Sequence, residues 1–351
     1  MSSPTNPPLI IEHIKTSNEK AKVILELERD GQQRGVLCRF PSINAGMLKY
    51  WRFGFITQIA SMSGGGKSYL LNMLHDDFTN PTLNKDCVYN PLILHFTFEM
   101  KAEDEVLRNV SGKMGKSYAY LRSSEYQKGL PKIGKVKSVH DNYNSLTDGE
   151  LADAFVHLDE LSTRPIFYVQ TSGNVNQITA TIDWFSEKYN IGKQASNGKI
   201  NKLIVSLDHA LLVKKLDEAN EIDLLANIGK SAIEITKTYD SITILLGQLN
   251  GNIEQPIRRD NPALHYPVKT DIHGSNQVYQ ACDNVIIPHR PELLGISKYG
   301  VKSLLTTDLV HGGFIKSRFG NAGNFWLKNE LSKGRFTHFT EEEKNVIGLS
   351  K

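Results

Sequence analysis

Short apolar segments alternate with longer stretches of helical periodicity along most of the chain. The segments are rich in β-branched and aromatic residues and lie at residues 53–60, 92–98, 166–169, 203–207 and 242–246. Near-continuous apolar runs of this length predict strands buried on both faces, and the helical stretches between them predict crossover connections. The pattern therefore predicts the α/β fold class, with a mainly parallel sheet that is covered by helices on both faces.

The segments on either side of this pattern divide the chain into three parts. Residues 1–39 form an N-terminal arm that is too small for a core of its own, and its charged, periodic stretch over residues 9–34 predicts a helix or a hairpin. The main domain covers residues 40–340, and a C-terminal tail covers 341–351. Within the main domain, residues 112–150 are predicted as helices joined by a mobile loop, 190–202 as a loop, and 252–269 as a long functional loop.

Composition adds few constraints. The 351 residues carry a net charge of +3, which permits a polyanionic partner without requiring one. The widely separated Cys38, Cys87 and Cys282 lack metal-ligand spacing and predict buried thiols in a reducing compartment. The N-terminus has no signal-peptide pattern and no apolar run is long enough to span a bilayer, so the sequence predicts a cytoplasmic protein without membrane contact.

The clearest chemical motif is a glycine-rich turn between the first strand and the helix after it. It reads Ser61-Met62-Ser63-Gly64-Gly65-Gly66-Lys67-Ser68-Tyr69. Consecutive glycines let backbone N–H groups converge on a polyphosphate, and the helix N-terminus adds partial positive charge. We therefore predict that residues Ser63 to Tyr69 bind a nucleoside triphosphate, with Lys67 on the β- and γ-phosphates and the Ser68 hydroxyl on Mg²⁺.

One position departs from the usual phosphate-binding pattern, because Ser61 stands where a glycine comes first. The alternative reading is an ordinary glycine-rich turn between a strand and a helix. Two similar tripeptides, at residues 115–117 and 229–231, lie in helical stretches without a preceding apolar strand and are interpreted as surface lysines.

Polar side chains follow the other predicted strands at the points where those strands end. Glu99 follows the second strand, Asp208 follows 203–207, and Gln248 follows 242–246. Ligands of a doubly wound sheet collect at the carboxyl ends of its strands. We therefore predict that Asp208 holds Mg²⁺, that Glu99 deprotonates the attacking water, and that Gln248 senses the γ-phosphate. The alternative is that each acid serves only solubility.

Two cations end a further predicted strand over residues 314–321. Lys316 and Arg318 are two residues apart, and period-two alternation places both on one face of that strand. They would neutralise charge on a transferred phosphoryl group, either within the chain or across a subunit boundary. A solvated basic edge strand is the alternative.

The order of these motifs resembles the C-terminal motor domain of DnaB-type replicative helicases, which has the RecA-like P-loop NTPase fold. The likeness covers roughly residues 40–338. Its local matches are residues 94–103, similar to the family's strand ending in Leu-Glu-Met; 203–212; 246–250, similar to its Ser-Gln-Leu-Asn motif; and 316–318, similar to its Lys-Gln-Arg. The resemblance implies an ATP-driven DNA helicase that requires Mg²⁺.

The resemblance also assigns a role to each matched position. It implies Glu99 as catalytic base, Asp208 as metal ligand and Gln248 as the residue that couples hydrolysis to movement. Lys316 and Arg318 would act on the γ-phosphate of a neighbouring subunit, so the site would be complete only in a homo-oligomer, a hexameric ring.

The same resemblance places a central-channel loop for single-stranded DNA at His273, Gly274, Ser275 and Asn276. Backbone amides and a few polar groups would grip phosphates without sequence preference. A primase or a helicase loader is the further partner that the family implies.

Several positions depart from the family pattern. The family usually has Arg-Glu at His273-Gly274, an arginine at Gly251 and an aromatic residue at His209. The roughly forty residues before the motor domain leave no room for the family's N-terminal helical domain. We therefore expect a shortened relative of the kind that phages or mobile elements encode, and the resemblance implies a location in the cytoplasm of a bacterial or phage-infected cell.

Two other functions fit the same motifs. A RecA-like recombinase or a clock-type ATPase would use the same nucleotide site in a filament or a signalling ring. A DNA-binding or loader module would bind nucleotide without helicase activity, although the presence of Glu99 argues against it.

Overall fold

A computed structural model describes residues 13–122, 146–261, 265–318, 320 and 323–349, with the backbone but not the side chains of Ser275 and Asn276. The strands in these residues, numbered in chain order, are β1 (Gly35–Val36), β2 (Trp51–Arg52), β3 (Ile56–Ser61), β4 (Tyr89–Thr97), β5 (Ile166–Val169), β6 (Ile200–Asp208), β7 (Ile242–Gln248), β8 (Asn284–His289), β9 (Lys298–Tyr299), β10 (Leu304–Leu305), β11 (Leu309–Ser317), β12 (Asn324–Glu330) and β13 (Arg335–Thr337). The α-helices are α1 (Ile14–Arg29), α2 (Pro41–Gly46), α3 (Lys67–Phe78), α4 (Ala102–Met114), α5 (Tyr118–Leu121), α6 (Asp148–Ser162), α7 (Val175–Lys188), α8 (Glu221–Tyr239), α9 (Pro256–Arg259), α10 (Ser275–Ala281) and α11 (Glu341–Ile347).

One large sheet organises the molecule. Its strands lie in the order β13-β12-β11-β8-β3-β7-β6-β4-β5. The strands from β8 to β5 are parallel, whereas β11, β12 and β13 extend the sheet with antiparallel pairing. The predicted α/β class with a mainly parallel sheet is therefore confirmed.

The alternation of side chains along β6 explains why helices cover both faces of the sheet. Leu203, Val205 and Leu207 pack in a buried cluster together with residues of α7 and α8. Ile204, between them, belongs to a second cluster that includes residues of α3. Successive side chains of a strand point to opposite faces, so one apolar run supplies both cores.

The five predicted parallel strands are all present, but some of their ends differ from the prediction. β6 begins at Ile200, so the loop predicted for 190–202 ends before the predicted strand start at 203. β4 and β6 pair from Tyr89 and Ile200 to Thr97 and Asp208, and this backbone pairing extends β6 into polar residues. Tertiary pairing, rather than side-chain hydrophobicity, sets these ends.

The periodic stretch of the N-terminal arm forms the helix α1, the arm continues into the short strand β1, and residues 9–12 lie outside the described part. Helix α1 has no buried residue. It contacts the main domain through Glu28, which accepts hydrogen bonds from the Tyr50 hydroxyl at 2.6 Å and from Arg52 at 3.1 Å. Helix α1 is therefore held by polar contacts, whereas Val36 and Cys38 at the end of the arm are buried in the core of the main domain.

Other segment predictions have mixed outcomes. Helices α4, α5 and α6 lie within or extend from the segment 112–150, whose residues 123–145 are outside the described part. The segment 252–269 contains the short helix α9, and its residues 262–264 are likewise not described.

All three cysteines are buried and free. Among the helices described, none has both the length and the apolarity needed to cross a membrane.

Candidate functional site

The predicted phosphate loop connects β3 to α3 and needs its glycines for geometric reasons. Gly64 and Gly66 have φ angles of 72° and 90°, in the left-handed region that side chains disfavour. A Cβ on Gly66 would also lie 2.5 Å from the ring of Phe336. Gly64 and Gly66 thus let the loop turn sharply where it packs against the C-terminal part of the sheet.

Ser61 lies directly beneath this loop. Its hydroxyl donates a hydrogen bond to the carbonyl of Pro288 at 2.8 Å. A Cβ on Gly65 would lie 1.9 Å from the same hydroxyl oxygen. The serine at the usual glycine position therefore ties the loop to the neighbouring strand β8 and leaves room only for glycine at position 65.

The first residues of α3 meet the end of β6. Lys67 is buried, and the Ser68 hydroxyl donates a hydrogen bond to Oδ2 of Asp208 at 2.7 Å. Oδ1 of Asp208 is buried and has no hydrogen-bond partner among the described residues. Burial raises the pKa of Asp208, while the Ser68 hydroxyl and the Lys67 ammonium oppose that rise. Serine hydroxyl and carboxylate oxygens are the ligand types that Mg²⁺ prefers, and the unpartnered Oδ1 fits such an ion.

Glu99 and Gln248 lie at the same edge of the sheet. Thr97, at the end of β4, pairs with Asp208, and Gln248 pairs with Ser61. The carboxylate of Glu99 is about half exposed, and its Oε2 lies 4.0 Å from Nε2 of His209. The strand order thus brings the phosphate loop, Gln248, Asp208 and Glu99 together, while the role of each residue stays a prediction.

Tyr69 packs against the core cluster that includes α3 and contacts Arg108 of α4. The guanidinium of Arg108 lies 4.8 Å from the centroid of the Tyr69 ring. Glu105, one helical turn before Arg108, accepts a hydrogen bond from Asn72 at 2.6 Å. Burial raises the pKa of Glu105 to about 7, because desolvation outweighs the attraction of Arg108. Sequence reasoning missed this buried carboxyl, since nothing in the helical pattern separates it from the exposed acids beside it.

Arg290 is a second residue that the sequence analysis missed. It follows β8, and its guanidinium donates to the carbonyl of Gly64 at 2.8 Å and to Glu292 at 2.6 Å. Because β8 is parallel to β3, its end reaches the edge that carries the phosphate loop. The apolar run Val285-Ile286-Ile287 followed by polar residues was the available signal, and it matches the pattern of the other strand ends.

Lys316 and Arg318 lie away from the phosphate loop of their own chain. Lys316 donates to the carbonyl of Tyr279 at 2.7 Å, and Arg318 pairs with Asp283 at 2.9 Å. Lys316 is paired with Val285 near the start of β8, and β8 starts beside the start of β3. The six residues of β3 span roughly 17 Å at about 3.3 Å per residue. The structure therefore separates these cations from the phosphate loop by about one strand length.

The strand that was predicted over residues 314–321 differs from the observed strand β11 in its bounds and in its regularity. β11 ends at Ser317, so Arg318 follows the strand, and Phe319 and Asn321 are not described. The β8–β11 register shifts between Phe314 and Lys316, which breaks strict alternation. Both cations nevertheless contact the segment 279–283.

The predicted channel loop is attached to the end of β7. The backbone N–H of His273 donates to the carbonyl of Gln248 at 2.9 Å, and the His273 imidazole contacts Glu221. Gly274 has a φ of 61°, and a Cβ there would lie 2.1 Å from Leu225. The positive φ favours glycine at this position, and the contact with the Leu225 side chain adds to that preference. The side chains of Ser275 and Asn276 lie outside the described residues.

The two other Gly-Lys-Ser tripeptides are not phosphate loops. Lys116 follows α4 and pairs with Glu150 at 2.9 Å. Lys230 is exposed in the middle of α8. Both match the interpretation as surface lysines.

Comparison with known proteins agrees with this architecture. No protein-family model matches the chain. Over 157 residues, 42% of this chain, the sequence is 25% identical to a probable replicative DNA helicase of Trieres chinensis, and the match spans 32% of that relative's length.

Two solved structures have similar folds. One of them, an ATPase domain, has a TM-score of 0.68 and 15% identity, with 92% of this chain and 98% of that chain covered. A DnaB-like replicative helicase, from a study of its interactions with primase, has a TM-score of 0.68 and 16% identity, with 92% of this chain and 67% of that chain covered. The resemblance predicted from the motifs is thus confirmed in the fold: the chain has the RecA-like architecture of the ATPase domains of DnaB-like replicative helicases.

Proposed function

We propose that the protein is an ATP-dependent DNA helicase that works as a hexameric ring on single-stranded DNA in replication. The observation that carries the proposal is the contact between Ser68 and Asp208 beside the buried Lys67, at the end of a glycine loop. Hydroxyl, carboxylate and ammonium groups in this arrangement match what a nucleoside triphosphate and its magnesium ion require. The sequence similarity to a probable replicative DNA helicase supports the same function.

The residues of one chain would supply the binding half of the site. The backbone of residues 63–66 and the Lys67 ammonium bind the β- and γ-phosphates. Ser68 and Asp208 hold Mg²⁺, which neutralises charge on the phosphate oxygens when it is bound. Glu99 accepts a proton from the attacking water.

The second half of the site would come from the next subunit. Lys316 and Arg318 lie about one strand length from their own phosphate loop, which supports action on the nucleotide of a neighbour. Arg318 is half exposed, so it can reach a partner by exchanging its contact with Asp283. An arginine supplied in this way stabilises charge on the transferred phosphoryl group.

The link between the nucleotide and DNA would be short. Gln248 lies beside Ser61 at the start of the phosphate loop, and its carbonyl binds the N–H of His273 in the proposed DNA loop. A change at the γ-phosphate would therefore reach His273 through one residue. The backbone of residues 273–276 binds the phosphates of single-stranded DNA in this proposal.

The N-terminal arm would help to assemble the ring. Helix α1 exposes Ile14, Val23 and Leu25 and buries no residue on its own chain. Apolar side chains on an otherwise unsupported helix favour docking on a neighbouring subunit. A primase or a helicase loader is a further proposed partner.

The main test is the rate of ATP hydrolysis with and without single-stranded DNA, measured together with the oligomeric mass. DNA should stimulate hydrolysis, and Lys67→Ala should abolish it. Lys230→Ala is the matched control, because that lysine has the same Gly-Lys-Ser context but is exposed in the middle of α8. Normal turnover in Lys67→Ala would contradict the proposal.

A mixing experiment tests the shared site. Arg318→Ala should lose hydrolysis but keep nucleotide binding, since an exposed ion pair contributes at most about 1 kcal/mol to folding. Mixing it with Lys67→Ala should restore part of the activity. Electron microscopy separates rings from the filaments of a recombinase, and the absence of phosphate release would favour a DNA-binding or loader module.

A further inference from the structure

His209 is a buried histidine at the edge of the site, next to Asp208. Its side chain is 9% exposed, and Nε2 lies 4.0 Å from Oε2 of Glu99. Its Nδ1 is buried and has no hydrogen-bond partner in the described part of the chain. The imidazole is thus fixed in place, with one nitrogen directed at the predicted catalytic base.

The Nε2 side of the His209 ring can donate a hydrogen bond toward Glu99. A neutral imidazole has one donor and one acceptor nitrogen. With the proton on Nε2, the donor faces the carboxylate of Glu99.

Glu99 itself has little to hold it. Its side chain is 53% exposed, and within the described residues its carboxylate accepts no hydrogen bond. A free glutamate side chain has several rotamers, and a base must be held within hydrogen-bond reach of the water it deprotonates. A rigid donor 4.0 Å away needs to approach by only about 1 Å to form a normal hydrogen bond.

We infer that His209 is a positioning residue that holds Glu99 in its catalytic orientation through an Nε2–H hydrogen bond. The inference rests on the proposed function, because it requires Glu99 to act as base. The water proton passes to Glu99, the water oxygen bonds to the γ-phosphorus, and the bond from that phosphorus to the bridging oxygen breaks to release ADP. His209 keeps its own proton throughout.

The experiment compares His209→Phe, which keeps a ring without a donor, with His209→Gln, which keeps a donor. In steady-state hydrolysis, His209→Phe should lower kcat about 10-fold or more, the effect expected for a hydrogen bond to a charged group. The KM for ATP and the affinity for a non-hydrolysable ATP analogue should stay within about twofold, since Lys67 and Ser68 still bind the phosphates. His209→Gln should recover part of the lost kcat.

Single-turnover measurements in a Glu99→Gln background separate positioning from general damage. If His209 acts through Glu99, His209→Phe should cause no further loss there. An unchanged kcat in His209→Phe, an equal loss in the Glu99→Gln background, or failure of His209→Gln to recover activity would each overturn the inference. These results require an active wild-type protein, whereas absence of hydrolysis in the wild type would instead refute the proposed function.

Discussion

Ser61 and Gly65 form a contact that a double-mutant cycle can measure. The perturbation is Gly65→Ala, whose Cβ would lie 1.9 Å from the Ser61 hydroxyl oxygen and 3.1 Å from the Ser61 Cβ. Gly65 does not have a positive φ, so the new side chain is excluded by space and not by backbone conformation. Ser61→Gly removes both atoms, and Ser61→Ala removes only the oxygen.

The magnitudes follow from the contacts. Inserting a methyl group into a filled space costs about 1–3 kcal/mol of unfolding free energy. Ser61→Gly loses the hydrogen bond to Pro288, worth about 1 kcal/mol, and adds a strand glycine that costs about 0.5–1 kcal/mol. If the two sites were independent, these costs would add. Ser61→Gly removes the two closest side-chain contacts and leaves the Met62 carbonyl oxygen 3.0 Å from the new Cβ. The double variant should therefore be more stable than that sum by about 1–2 kcal/mol.

The assay is urea unfolding of the four proteins of the cycle, together with the affinity for an ATP analogue. Gly65→Ala should weaken both, and Ser61→Gly should restore most of the binding that Gly65→Ala loses. In the Ser61→Ala background the restoration should be smaller, because the Cβ at 3.1 Å remains.

Gly64→Ala is the control for this cycle. A Cβ there meets nothing within 4 Å, but the φ of 72° makes any side chain unfavourable. Its cost should therefore be the same with and without Ser61→Gly. If Gly65→Ala also costs the same in both backgrounds, to within about 0.5 kcal/mol, the reasoning from the Ser61 contact is refuted.

Two further predictions concern pH. Burial raises the folded-state pKa of Glu105 from 4.5 to about 7, so the folded protein favours the protonated carboxyl. The stability that this preference contributes is full below pH 4.5 and is lost as the pH rises toward 7. At pH 8 the free energy of unfolding of Glu105→Gln, measured with urea, should therefore exceed that of the wild type by up to ~3 kcal/mol. Near pH 5 the two proteins should be equally stable. Burial lowers the pKa values of His95 and His311 from 6.5 to about 4, so their neutral forms stabilise the fold above pH 6.5 and that stability is lost as pH falls toward 4. Between pH 7 and 5.5 the wild type should lose roughly 1 kcal/mol for each of these histidines, and His311→Gln should lose correspondingly less; equal losses in both proteins would contradict the assignment.

The parallel part of the fold was predictable because its strands are buried on both faces and read as apolar runs. β8 was not predicted, since Asn284, Pro288 and His289 dilute its apolar residues, and its place is fixed by pairing with β3 and β11. The prediction that β6 starts at residue 203 was wrong for the same reason, because the strand begins at Ile200 and runs through polar residues first. Backbone pairing between distant segments decides where a strand ends, and a local pattern does not contain that information.

The placement of Asp208, Glu99 and Gln248 at one edge of the sheet was predictable, because Asp208 and Gln248 end their strands and Glu99 comes two residues after β4. Their roles in the site stay predictions. Arg290 binds a carbonyl at Gly64 from the far end of the sequence, and such a contact exists only after the sheet is assembled. The alternation argument for Lys316 and Arg318 was incomplete, because the register shift near Phe314 lies inside the strand. Irregular pairing of this kind has no clear signal in a single sequence.

The antiparallel strands β11 and β12 reach from the end of the sheet that carries the phosphate loop to the opposite end. This arrangement is relevant to how subunits would communicate in a ring. At one edge, Arg290 binds Gly64 and also Glu292, which accepts a hydrogen bond from Asn329 of β12 at 3.0 Å. At the other edge, β11 ends beside Arg318 after nine residues, a length of roughly 30 Å. In the proposed ring, β12 supports the phosphate loop through Asn329 and Glu292, and it pairs along its length with β11, which carries Lys316 and ends next to Arg318. Two paired strands therefore connect a subunit's own phosphate loop with the cations that it would offer to the next subunit.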